Sequence, residues 1–418
     1  MNSRERVRQA LHHQQPDRTP LDLGGSAVTG MQVSSVYKLR QALRLDPPGT
    51  PVKVVEPYQM LGEIAPDLID ALGVDVVGLS SPRTMFGFPN EGWRPWTTFD
   101  GTPVLVPEGF NTDLEPNGDL LLYPEGDRSV PPSGHMPAGG FYFDSIDRQL
   151  PIDESSLDPA DNLEEFGPIS DSDLAYYGRR AEELFTQTDK AILGNFGGTA
   201  FGDIALVPAP WLKHPRGIRG VEEWYISTVT RRDYVWKVFE KQCEIGLANL
   251  EKVHAVVGER VAAVFVSGTD FGTQTAPFIS PKSYRDLYQP FHRQVNDWIH
   301  RNTGWKSFIH SCGSVVKLIP DFIQSGFDIL NPVQISATGM DPATLKREFG
   351  HDLVFWGGGI DTQQVLPFGT PEEVRRQARE NLRIFGAGGG YVFNTVHNVQ
   401  AGTPVENLLA LYEAVREG

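Results

Sequence analysis

The chain reads as an α/β protein, a (β/α)8 TIM barrel with a β-rich insertion near residues 84–150. Three observations point there. Short apolar, β-branched runs alternate with helical segments at spacings of about 25–45 residues, the rhythm of parallel βαβ units. Capping oxygens followed by proline mark helix starts in the second half. The length, 418 residues with 40% hydrophobic residues and 43 glycines, suits one large barrel, and 1–418 is read as a single domain.

The strands follow in order. TPLDL (19–23), VDVVGLS (74–80) and KAILGNF (190–196) are the candidates in the first half. VAAVFVSGTD (261–270), KSFIHSCG (306–313), FDILNPVQ (327–334), DLVFWGGGID (352–361) and GYVFNTVHN (390–398) are those in the second. Helices are predicted at 280–301, over SVVKLIPDFIQSG with Gly326 as its stop, over MDPATLKREFG ended by Gly350, at 370–386, and over TPVENLLALYEAV. Ser280-Pro281 supplies a cap and a first-turn proline. Thr370-Pro371 and Thr403-Pro404 do the same, and Glu373 and Glu406 fall where a capping box needs them. Residues 84–150 break the rhythm with glycine, proline and aromatic residues. Asp100-Gly101 and Asn117-Gly118 between alternating apolar stretches predict β-hairpins there. Ordered insertions of this length serve as lids, or as structural covers and oligomer contacts. Both readings of this one stand, over the barrel mouth or on an oligomer surface.

Composition narrows the function classes. Lys plus Arg is 37 against 53 for Asp plus Glu, a net charge of −16, with no basic run, so nucleic acid is not an expected partner. The longest apolar runs, such as VAAVFV, fall far short of the roughly 18 residues of a membrane span. The segment MNSRERVRQALHHQQ has no apolar core of a signal peptide, and a cytoplasmic location is expected. Two cysteines exclude a disulfide framework. Cys243, in the amphipathic stretch VFEKQCEIGLANL, reads as core filling. A homodimer is the default oligomer.

In a barrel, functional side chains project from the C-terminal ends of the strands. Those ends carry Asn195, Asp270, His310 with Cys312, Asn331 with Gln334, Asp361, and His397 with Asn398. Gln274 follows in the loop after Asp270. Asn195, Gln274, Asn331, Gln334, Asp361 and Asn398 are candidates to line a substrate pocket; Asp270 and His397 are candidate catalytic groups. Any α/β protein places polar residues at such positions, so each alone is weak.

His310-Ser311-Cys312 is sharper. Residues i and i+2 of an extended segment face one side, roughly 6.5–7 Å apart at Cα. An imidazole and a thiolate so placed reach one ion, and the donor pair suits zinc. The competing reading, a buried cysteine beside a histidine bonded to the backbone, stays open on spacing alone. A third ligand must come from another strand, His397 first and Asp270 as the alternative. The glycine run 357–359 lacks both phosphate-binding patterns. No nucleophile elbow occurs, and no fused cobalamin-binding Asp-x-His-x-x-Gly motif.

These segments resemble the uroporphyrinogen decarboxylase superfamily, which includes cobalamin-dependent methyltransferases. SRERVRQALHHQQPDRTPLDLGG is similar to the opening helix and strand, and SGTDFGTQTAPFISPKSYRDLYQP to the central Asp-containing segment. FIHSCGSV, GGGIDTQQVLPFGTPEEVRRQ and GYVFNTVHNVQAGTPVENLLALYEAV resemble the C-terminal motifs. The resemblance implies a (β/α)8 barrel. True uroporphyrinogen decarboxylases carry an arginine-rich segment after the first strand for an octacarboxylate substrate. Here no Arg or Lys lies between Arg18 and Lys38, which argues against that activity. The methyltransferase branch uses a His-x-Cys segment for zinc, matched by His310 and Cys312. Its third ligand is a cysteine in a Gly-Cys-Gly stretch, where this chain has His397. The resemblance therefore implies a zinc-dependent methyltransferase of a corrinoid system, with cobalamin on a separate protein. A substrate of the methoxy type suits a zinc with one thiolate and two imidazoles. A lyase or decarboxylase acting on a small oxygenated substrate without corrinoid is the alternative.

Overall fold

The computed structural model describes residues 1–163, 166–196 and 201–418. Seven strands form one parallel sheet: Val76–Leu79, Ala191–Gly194, Ala263–Ser267, Lys306–His310, Ile329–Asn331, Val354–Trp356 and Tyr391–Val392. Each pairs with the next in chain order. All seven fall within stretches that the sequence marks as strands.

The segment 20–22 fills the eighth position. Asp22 N–H donates to the Phe393 carbonyl and Phe393 N–H to the Pro20 carbonyl, both at 2.8 Å. On its other side Leu21 accepts from Asp75 N–H at 2.8 Å, just before the Val76 strand. One short segment thus joins both edges of the sheet and closes a TIM-barrel-like ring. Asp75, fully buried, fixes this closure: its carboxylate accepts from Arg6, from Arg18 and from Leu21 N–H.

Inward residues Val76, Leu193, Ala263, Phe308, Ile329, Trp356 and Val392 pack into one cluster with Val7 and Leu11 of the helix Ser3–Leu11. Phe308 and Trp356 meet edge to face at 5.5 Å. The barrel is therefore filled at this level, and a pocket can open only at its other end. A second and larger cluster lies between the strands and the outer helices.

The helix Pro371–Gly386 has the predicted capping box, with Glu373 N–H on Thr370 Oγ1 and Thr370 N–H on Glu373 Oε2. Ser280 caps Pro281–Leu287 as its sequence implies. Two expectations fail. The capping box at Thr403 does not form: the last helix is Val405–Glu417, and the Thr403 hydroxyl donates to the Gln400 carbonyl instead. The predicted helix 280–301 is two helices, Pro281–Leu287 and Gln289–Asn302, divided around Tyr288.

Residues 84–150 hold the strands Arg94–Thr97, Pro103–Val106, Thr112–Leu114, Leu120–Leu122, Gly134–Met136 and Asp144–Ser145. Both predicted hairpins form, with Gly101 and Gly118 at φ +81° and +90°. The sequence did not foretell that Val52–Glu56 joins this region, pairing parallel with Pro103–Val106. The insertion is tied down where Phe143 N–H meets the Tyr58 carbonyl and Ser133 Oγ meets the Pro210 carbonyl. Cys243 is buried in the helix Arg232–Val257, as read. Among the described residues no helix is long and apolar enough to cross a membrane.

Candidate active site

His310 ends its strand, and parallel pairing sets it beside Asn331 on the next. Asn331 Nδ2 donates to the Trp356 carbonyl at 2.7 Å, so its Oδ1 must be the atom that faces His310 Nδ1 at 2.6 Å. That contact requires hydrogen on Nδ1 and leaves Nε2 with a free lone pair. Nε2 lies 3.4 Å from Cys312 Sγ.

Two glycines let the loops carrying these groups touch backbone to backbone. A Cβ on Gly272 would sit 2.6 Å from the Cys312 carbonyl, and one on Gly313 would sit 2.3 Å from the Gly272 carbonyl. Gly313 also has φ +86°, a left-handed value. Cys312 N–H donates to Asp270 Oδ1 at 2.6 Å, and that oxygen is 3.9 Å from His310 Nε2. Phe271 N–H meets Ser311 Oγ at 2.9 Å. Asp270 and its neighbours thereby set the height of the cysteine over the barrel.

His397 arrives from beyond the last strand. Its ring centroid lies 5.5 Å from that of His310. One ligand atom each from His310, Cys312 and His397 lie within 4.8 Å of one another. Asp270 is the fourth polar group at this point. Burial holds both imidazoles neutral, each pushed down to about 4; a mutual charge penalty adds to the effect on His397. Burial raises Asp270, opposed by the Cys312 N–H. Burial also raises the Cys312 thiol well above its ordinary value, and the carboxylates of Asp270 and Asp203 add to this. Two imidazole nitrogens and one sulfur this close together are a group that could hold a metal ion.

Of the remaining strand-end residues, Asn331 and Gln334 bond directly to the His310–Gly313 segment and Asn398 follows His397, while the hydrogen bonds of Asn195 and Asp361 lie elsewhere. Asn331 is wholly buried behind His310. Gln334 accepts from Gly313 N–H and donates to Gln274, which itself donates to the Ser336 carbonyl. Asn398 holds the first loop through Gly30 N–H, the Ala27 carbonyl and Gln59. Asp361 accepts from Gln363 and Gln364 N–H groups as a turn cap. Asn195 extends its strand through its N–H to the Leu79 carbonyl.

Sequence reasoning missed two neighbours. Asp203 sits where burial pushes its carboxyl up to about 7. Tyr225 donates its hydroxyl to the Asp270 carbonyl at 2.8 Å and stacks on Phe278. Neither belongs to a motif or follows a strand run, so no sequence signal marks them.

Three comparisons place this geometry among known proteins. Residues 216–418 match the uroporphyrinogen decarboxylase (URO-D) family profile. The methylated-thiol--coenzyme M methyltransferase of Methanosarcina mazei is 29% identical over 143 residues, 34% of this chain and 35% of that protein. A uroporphyrinogen decarboxylase of Coxiella burnetii is 37% identical over 84 residues, 19% of this chain and 22% of that protein. The matched segments thus span about a third or less of the length of these curated relatives. Among solved structures, a methyltransferase from Methanosarcina mazei superposes with a TM-score of 0.54 at 15% identity, covering 100% of this chain and 99% of that one, a likeness of fold.

Proposed function

We propose that this chain, whose residues 216–418 match the URO-D family profile, is a zinc-dependent methyltransferase of a corrinoid system, acting on a methoxy or other small methylated compound. The observation that carries the proposal is the convergence of His310, Cys312 and His397 at the open end of the barrel. The likeness to a methylated-thiol methyltransferase supports the same reading. The lack of Arg and Lys between Arg18 and Lys38 weighs against a polycarboxylate substrate.

His310 Nε2, Cys312 Sγ and His397 would hold the zinc. When bound, it supplies Lewis acidity that draws electron density from the oxygen bearing the methyl group. The protein does the rest. Asn331 fixes the His310 tautomer, and Asp270 holds the Cys312 loop by its backbone N–H. The glycine contacts keep the two loops in register. Asn195, Gln274, Gln334, Asp361 and Asn398 shape the rim of the pocket. The 84–150 insertion covers the mouth, anchored through Phe143 to Tyr58, whose neighbour Gln59 bonds Asn398 beside His397. The methyl acceptor is a reduced corrinoid on a separate protein, and the setting is cytoplasmic.

The test is metal content and methyl transfer together. Purified protein should hold one zinc per chain, lose it in Cys312→Ala and His397→Ala, and keep it in Cys243→Ala. With zinc loaded, it should move methyl groups from a methyl ether to a reduced corrinoid protein. Absence of stoichiometric zinc, or zinc indifferent to Cys312→Ala, refutes the proposal. Carbon dioxide release from a small acid without any corrinoid would favour the decarboxylase reading.

A further inference from the structure

His310 and His397 meet at the barrel mouth but are held by different means. The His310 ring is fixed through Nδ1 by Asn331. Among the described residues the His397 ring has no such hydrogen-bond partner; its neighbour is the His310 ring itself, 5.5 Å away between centroids. The aim of His397 therefore depends on how its backbone is seated. With Cα and Cβ fixed, only two side-chain rotations remain to be set.

That backbone is held on both sides. The Thr395 hydroxyl donates to the His397 carbonyl. Val399 N–H donates to the Gly30 carbonyl at 3.0 Å, and the Val399 carbonyl accepts from Gln32 N–H at 2.8 Å, a parallel bridge to the first loop. Between these anchors stands Asn398, only 1% exposed. Its amide is assigned by its neighbours. Gly30 N–H lies 2.6 Å away and needs an acceptor, so Oδ1 faces it. Nδ2 then donates to the Ala27 carbonyl at 2.8 Å and to Gln59 Oε1 at 2.6 Å. Both donor hydrogens are spent on the protein, which leaves neither for a substrate.

Gln59 is seated in its turn. The Glu56 carboxylate accepts from Tyr58 N–H at 3.1 Å and from Gln59 N–H at 3.0 Å, which folds the 56–59 turn. The insertion reaches the same turn where Phe143 N–H donates to the Tyr58 carbonyl at 2.9 Å. One buried amide thus ties the first loop, the 56–59 turn and the segment after the last strand together, directly beside His397.

We propose that Asn398 is a positioning residue for His397 and not a substrate ligand, with Gln59 as its support; this rests on the metal reading of His397 above. Asn331 aims one imidazole through its ring. Asn398 aims the other through its backbone, so that both meet Cys312 at one point.

The experiment uses the full chain as wild type, Asn398→Leu and Gln59→Leu. Leucine at 398 keeps the volume and removes all three hydrogen bonds. Outer partners of metal ligands are worth about 10–100-fold in affinity, and Asn398 acts through the backbone, so a loss of about tenfold in zinc affinity is expected, read by competition against a chromophoric chelator. Gln59→Leu removes one hydrogen bond and should cost about two- to tenfold, and it carries the test if Asn398→Leu does not fold. Wild-type affinity in both variants overturns the proposal. The second readout needs no metal. In metal-free protein with isotope-labelled histidine, the His397 ring resonance is assigned by its loss in His397→Ala. It should be single and sharp in wild type, and shifted with broadening or splitting in Asn398→Leu, with a smaller change in Gln59→Leu. The resonance of the wholly buried His292 should stay in place. An unmoved His397 resonance, or a His292 resonance that moves as far, overturns the proposal, the second because the disturbance is then general. If wild type binds no zinc, the metal reading falls, and the His397 resonance still decides whether Asn398 positions that ring.

Discussion

Asn331→Leu tests the link between barrel register and metal affinity. Asn331 is fully buried and makes two hydrogen bonds, to His310 Nδ1 at 2.6 Å and to the Trp356 carbonyl at 2.7 Å. Leucine keeps the volume and removes both. The His310 Nδ1–H then has no acceptor, and a buried polar group left unpaired costs about 1–3 kcal/mol. The ring is also free to turn or to change tautomer, which withdraws the Nε2 lone pair from Cys312. Loss of such an outer partner costs about 10–100-fold in metal affinity. At about 1.4 kcal/mol per tenfold change, that is about 1.4–2.8 kcal/mol of binding free energy. Competition against a chromophoric chelator reads the affinity directly, and thermal melts of the metal-free protein read the stability term separately. Both should fall. Wild-type zinc affinity in Asn331→Leu would mean that His310 is not oriented through Asn331, and would remove the argument for its Nε2 as a ligand atom.

Other expectations follow from the same structure. Asp75→Asn should lower stability by about 3–5 kcal/mol in chemical denaturation, because it strips a buried charge from Arg6 and Arg18 at the barrel closure; a loss under about 1 kcal/mol would mean the closure does not depend on it. His300→Gln should cost more melting temperature at about pH 5.5 than at about pH 8. The hydrogen bond to Asp328 raises the His300 pKa above 6.5, against burial, so its contribution is complete below that value and lost as pH rises through the folded pKa. Burial raises Asp328, but His300 and Lys306 hold it below 3.8, so its own contribution is present above that value and fades only in acid. The pair is at full strength between those limits, and an equal penalty at both pH values would refute it.

How far the sequence reached depends on how local each feature is. The eight strand stretches were legible because each is a short apolar run ended by polar residues, and even the 20–22 segment stood out as TPLDL. The Thr370 capping box was legible because its atoms lie within four residues. The Thr403 box had the same pattern and failed, since the Gln400 carbonyl lay equally near to that hydroxyl. Pairing of Val52–Glu56 with Pro103–Val106 was not legible, because it joins stretches some fifty residues apart with no periodic signal. Strand ends correctly gave the place of Asn331, Gln334 and Asn398, but not their hydrogen-bond partners, which belong to neighbouring loops. Asp203 was invisible for the same reason: its position depends on a glycine, Gly268, that is local only in space.

The fold contains its own control for the metal reading of His310 and Cys312. His292 is also wholly buried and is pushed down to about 3 by burial. Its Nδ1 meets the Tyr284 hydroxyl at 2.9 Å, and Tyr284 also meets Ser325. Around it lie the rings of Phe201, Tyr288 and Phe327. Cys243 is buried in the same region of the core, its thiol raised to about 11 by burial alone. There a histidine and a cysteine sit as packing residues, although His292 Nε2 has no hydrogen-bond partner among the described residues. At the barrel mouth two histidines, a cysteine and Asp270 crowd within a few ångströms, each pushed toward its neutral form. Hydrophobic packing alone has no reason to gather four polar, metal-ligating side chains at one buried point. A divalent cation would reverse the shifts of the thiol and the carboxyl, favouring their anions, and would use the lone pairs of imidazoles already held neutral.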